Sequence, residues 1–173
     1  MLIDVPILLG CFFADVLWRW PLAGIEVRPG FTILFCLYQT FRNDTRAILP
    51  LVPFFLIGGR AFFGMGFFPI MISLGIVMSL AYKVRSQIYT EAYLTQGAWV
   101  FLFVAIFHIL LSLLSVEIHA PRMLPVLIFS ALANALFSGL MAIPIFVFWD
   151  RLFDRMGRRR GGLRSATYYI HRP

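Results

Sequence analysis

The chain has 173 residues, of which 61% are hydrophobic, 17% aromatic and only 13% charged. A soluble domain carries roughly a quarter charged residues and, at this size, leaves too much of its area in water to hide so much apolar surface. A soluble enzyme, a disordered segment and a disulfide scaffold are therefore excluded, and the formal charge of +7 is concentrated at one end, with seven of the fifteen basic residues after Trp149.

The apolar runs follow one another along the chain. The first covers Val5 to Trp18 with its flanks and ends in Trp18-Arg19-Trp20-Pro21. It lacks a basic leader region, carries Asp4 instead, and shows no small-residue cleavage site, so it reads as a retained helix and not a secretory signal. Phe31 to Phe41 and Ala47 to Gly59 are shorter, reaching about 16 to 20 Å against a hydrocarbon thickness of about 30 Å. The polar turn Arg42-Asn43-Asp44-Thr45-Arg46 joins them. They read as two short helices, with a re-entrant pair as the alternative. Ala61 to Tyr82, Gly97 to Val116 and Leu124 to Trp149 are full-length spans. The expected fold is all-α: a polytopic membrane bundle of about six transmembrane helices over 1–149, the second and third short, with a basic cytoplasmic tail over 150–173.

Two features bear on topology. All four Trp fall at the edges of these runs, where amphipathic rings favour the headgroup level. With six spans and both ends in the cytoplasm, 11 basic residues lie inside and four (Arg19, Arg28, Arg60 and Arg122) outside, in keeping with the positive-inside rule. Taken alone, the first helix prefers the opposite orientation, because Arg19 and Arg28 follow it.

Ionisable and small residues are the candidates for function. Asp15 stands one turn before Arg19, which suggests an i,i+4 pair near the outer interface. Arg60 follows Gly58 and Gly59, where a bend can present a guanidinium to a lipid phosphate, a carboxylate or a partner. His108 lies mid-span with no metal-ligand spacing around it, and an interhelical hydrogen bond, for example to Asn134, is its simplest role. In the last span Ala131, Ala135 and Gly139 recur every four residues beside Ser130, Asn134 and Ser138. Such a stripe allows close helix approach, either within this chain or onto a partner. Gly75 with Ser79, and Gly10 with Ala14, form weaker pairs of the same kind. In the tail, Arg151, Arg155, Arg158, Arg159, Arg160 and Arg164 are placed to meet anionic lipid headgroups. Cys11 and Cys36 sit in apolar runs and read as small hydrophobes. Catalytic templates, phosphate loops and cofactor motifs are absent from the sequence, which points to no enzyme activity, no cofactor and no nucleic-acid partner.

The layout as a whole resembles the MreD family of bacterial rod-shape proteins. The resemblance rests on Arg28-Pro29 before a short second helix, the polar hairpin, the Gly-rich junction at Gly58-Gly59, three longer spans, and Pro144 through Trp149-Asp150-Arg151-Leu152 leaving the last. Family members commonly carry an acidic residue after the proline, where this chain has Gly30, and a Gly-then-Asp pattern where it has Gly58-Gly59-Arg60. The resemblance implies a non-enzymatic inner-membrane scaffold that binds the bitopic protein MreC. It implies a role in organising peptidoglycan synthesis in the elongasome with the synthases and the actin-like filament. The family is similar in layout to the substrate-binding subunits of energy-coupling-factor vitamin transporters. In that alternative, Arg60, Glu117, His119 and Arg122 are the candidate pocket liners.

Overall fold

The computed structural model describes residues 4–17, 20–22, 25–27, 30–42, 52–53, 57, 66–89, 93–114 and 124–155. Among the described residues the main helices are α1 (Asp4–Leu17), α2 (Phe31–Arg42), α3 (Phe67–Tyr89), α4 (Tyr93–Leu114) and α5 (Leu124–Arg155). Between α1 and α2 lies a small antiparallel hairpin of β1 (Trp20–Leu22) and β2 (Ile25–Val27), with Trp20 opposite Val27 and Leu22 opposite Ile25. The hairpin is a departure from an all-helical expectation. A two-stranded ribbon has only edge strands, which is where Pro21 is tolerated.

Three helices, α3, α4 and α5, are long and apolar enough to cross a membrane. Their outward sides carry Phe68, Met71, Ile72, Ile76 and Leu80 on α3, and Val126, Phe129, Leu132, Leu136 and Leu140 on α5, all exposed. A contiguous apolar surface of this kind belongs in lipid. At 32 residues, α5 measures about 48 Å, more than the hydrocarbon layer. It carries Pro144 in its interior, where a ring without an N–H frees one carbonyl of the preceding turn.

The helix at the centre is the short one. Ten residues of α2, Thr32 to Phe41, are buried, enclosed by α1, α3, α4 and α5. Its length of 12 residues, about 18 Å, is possible because its neighbours and not lipid cover most of its backbone. The inward stripe of α5 runs through Ala131, Asn134, Ala135, Ser138, Ala142, Phe146, Trp149 and Phe153, all buried, at helical steps of three and four. Trp149, expected at a span edge, is buried in this stripe. Its ring lies 5.2 Å from those of both Phe35 and Tyr38 on α2, because the helix continues two turns further to Arg155. Trp99 stands in the second turn of α4, stacked on Phe103 at 5.8 Å. The second short helix, expected over 47–59, falls almost entirely outside the described residues; of it, Val52 packs against the core.

Candidate functional site

The polar groups of the bundle gather at the two ends of α2. At its start, Gly30 has φ of 59° and its carbonyl accepts the Leu34 amide at 3.0 Å, so it is the residue capping the helix. Only a residue tolerant of the left-handed region fits there, and a Cβ on Gly30 would meet Ile33 Cγ2 at 3.0 Å. A glycine cap brings no side-chain acceptor for the free amides of the first turn. Asp15 supplies it from α1. Its Oδ1 accepts from the Phe31 amide at 2.5 Å, and its Oδ2 accepts from the Thr32 amide at 2.9 Å and from the Thr32 hydroxyl. The carboxylate is buried, at 3% exposure, and sits at the positive end of the α2 dipole. The expected partner Arg19 is outside the described residues. The carboxylate is turned onto the next helix, because the hairpin brings the α2 amides back beside α1.

At the other end, Arg42 closes α2 and places its cation at the negative end of the dipole. Its Nη2 donates to Asp150 Oδ2 of α5 at 3.0 Å and to Gln96 Oε1 of α4 at 3.2 Å. Asp150 also accepts from the Tyr38 hydroxyl at 2.8 Å and the Tyr93 hydroxyl at 3.2 Å. Both charged side chains are nearly covered, at 8% and 7% exposure. One carboxylate thus joins α2, α4 and α5. Tyr38 is itself gripped by Phe146, Trp149 and Phe153. Nearby, Gln39 Nε2 donates to Asp4 Oδ1 at 3.3 Å, tying the start of α1 to the end of α2.

Of the small residues, Gly139 lies at the α4–α5 contact, the most extensive between the described helices. A Cβ on Gly97 would come within 2.9 Å of the Gly139 carbonyl oxygen. One on Gly139 would reach 2.9 Å from Phe101 Cβ and 3.0 Å from the Gly97 oxygen. The two backbones touch because neither residue has a side chain. Ala131, Ala135 and Ser138 are also buried on α5, and Asn134 Nδ2 donates to Ser130 Oγ at 3.4 Å. The weaker pairs behave differently. Gly10 and Gly75 have open space where a Cβ would stand, so those positions form no close helix contact among the described residues.

No protein-family model, curated protein or solved structure matches this chain.

Of the remaining candidates, Gly58, Gly59, Arg60, Glu117, His119 and Arg122 lie outside the described residues, as do Arg158, Arg159, Arg160 and Arg164. Arg151 and Arg155 are exposed on the last turns of α5. His108 is half-buried with its ring against that of Phe107 at 5.5 Å, and the Asn134 amide is turned along its own helix. Cys11 and Cys36 are free, buried thiols. Among the described residues no group of three or more His, Cys, Asp or Glu could hold a metal ion. Asp15 and Asp150 stand at opposite ends of α2, about 15 Å apart along its axis, too far to act on one reacting atom together. Tyr38, Gln39 and Gln96 were not singled out by sequence reasoning, and Asp150 entered it only as part of the stretch leaving the last span. The available signal was a polar residue inside an apolar run, which in a membrane implies a partner.

Proposed function

We propose that this chain is a non-enzymatic membrane scaffold of the MreD type, binding the bitopic protein MreC and helping to organise peptidoglycan synthesis and cell shape. The observation that carries the reading is the use made of the buried charges. Asp15 caps a helix, and Asp150 and Arg42 lock three helices together, while the outward faces are apolar. Among the described residues these polar groups hold the bundle together, which fits a chain that acts by contact within the membrane. Asp15 also supports the family resemblance: it brings a carboxylate to the α2 cap, where Gly30 has none and relatives commonly carry an acid.

In this proposal α1, α2 and the segment 47–59 complete six crossings of the bacterial inner membrane. Both termini face the cytoplasm, and the basic tail lies against anionic lipid. A reporter fused to the N-terminus is expected to be active in the cytoplasm; periplasmic activity would contradict six crossings. Partner binding is tested by purifying the tagged chain in mild detergent. Co-purification of a bitopic coiled-coil protein is the expected result, and depletion of the chain is expected to round the cells. Tight retention of a small vitamin in place of a protein partner would contradict the scaffold.

A further inference from the structure

Where α4 and α5 touch through Gly97 and Gly139, their outer sides leave an apolar groove of about 290 Å³. The two glycines floor it, Leu94, Ala98 and Phe101 rise along α4, and Leu136, Leu140 and Ile143 rise along α5. Leu94, Leu136 and Leu140 are exposed at 77%, 58% and 62%, so the walls stand clear of the bundle. Leu94 to Phe101 and Leu136 to Ile143 each cover about 10 Å of helix axis. That is about the width of one α-helix with its side chains and about a third of the hydrocarbon thickness. A crossing helix would meet the groove at one short point, whereas a single flexible hydrocarbon chain can lie along it.

Charge is placed at one end of this groove. The α5 stripe of Leu136, Leu140 and Ile143 continues at helical steps through Val147 to Arg151, which is exposed. Ile143 and Arg151 are about 12 Å apart along the axis. The Cα–Cβ bond of a helical residue tilts toward the helix N-terminus, so the Arg151 stem leaves α5 on the side of Val147 and the groove. At the same end α4 begins at Tyr93, presenting the positive pole of its dipole beside Leu94. Asp154 is exposed one turn beyond Arg151 and opposes this field. Arg155 beside it is also exposed and offsets that charge.

We propose that the α4–α5 groove binds an acyl chain of an anionic phospholipid whose phosphate pairs with Arg151. A guanidinium matches phosphate geometry with two parallel donors. The inference rests on the membrane reading of the chain and not on the scaffold assignment.

Native mass spectrometry of the full chain in mild detergent, with phosphatidylglycerol or phosphatidylcholine added, tests it. Wild type is expected to retain one phosphatidylglycerol with about fivefold preference, the equivalent of about 1 kcal/mol for one Arg near anionic lipid. Arg151→Gln is expected to abolish the preference while both lipids still bind. Ala98→Phe fills the groove from an exposed position and is expected to remove both. Leu140→Trp does the same from the other wall, with thermal unfolding confirming that each variant is folded. Equal retention of the two lipids by wild type, or unchanged retention in a folded, filled variant, overturns the proposal. So does a photocrosslinking side chain at position 136 that captures a protein and no lipid in native membranes. Failure to co-purify a bitopic partner would sink the scaffold and leave this lipid site standing.

Discussion

The two ends of α2 are secured by different means. At its start a carboxylate from α1 accepts from the backbone amides of Phe31 and Thr32 and from the Thr32 hydroxyl. At its finish a cation from α2 meets a carboxylate from α5, with two tyrosines and a glutamine around them. Both arrangements put charge where the helix dipole favours it. The first cannot be relieved by changing another side chain, because backbone amides remain whatever the sequence. The second can, because a buried ion pair is costly mainly when one member is left alone.

This contrast orders the expected effects. Asp150→Ala leaves Arg42 buried without its counter-charge and is expected to destabilise the chain by about 3 to 5 kcal/mol, measured by unfolding in detergent. Adding Arg42→Met is expected to recover a large part of that loss, a coupling read from the double-mutant cycle. Strict additivity would break the comparison. Asp15→Ala is expected to cost about 2 to 3 kcal/mol, with Thr32→Val giving no recovery and Asp15→Asn, which keeps one acceptor oxygen, falling between. Gly139→Ala presses a methyl against Gly97 and Phe101 and is expected to cost about 1 to 2 kcal/mol. Gly75→Ala meets open space and is expected to change stability by less than about 1 kcal/mol, in the stabilising direction, through helix propensity. Equal losses at positions 139 and 75 would mean that α4 and α5 do not touch at Gly97.

Much of the helix layout is legible in the sequence. The run Phe31 to Phe41 became α2 within a residue, and the spans expected from Gly97 and from Leu124 became α4 and α5, because long apolar runs are sufficient to form helices in lipid. What the runs could not disclose was the neighbour of each residue. Helical spacing pointed Asp15 to Arg19, which is outside the described residues; it could not point to the donors 16 and 17 residues away, returned by a hairpin whose strands are three residues each. The run showed Trp149 as an interface ring and could not show that it packs into the aromatic core around Tyr38. Gly97 marked a span start in the sequence. Its role needed Gly139 opposite, a pairing between helices that no single-helix pattern contains.

The central claim is that the buried carboxylates serve the fold and that the chain acts through contact. For the proposed scaffold, measuring the folded fraction and the proposed support of rod shape side by side in Asp15→Asn and Asp150→Asn cells tests it most directly. Shape support is expected to fall only in proportion to the loss of folded protein. A variant that is fully folded and fails to support shape would contradict the account and assign that carboxylate a chemical role.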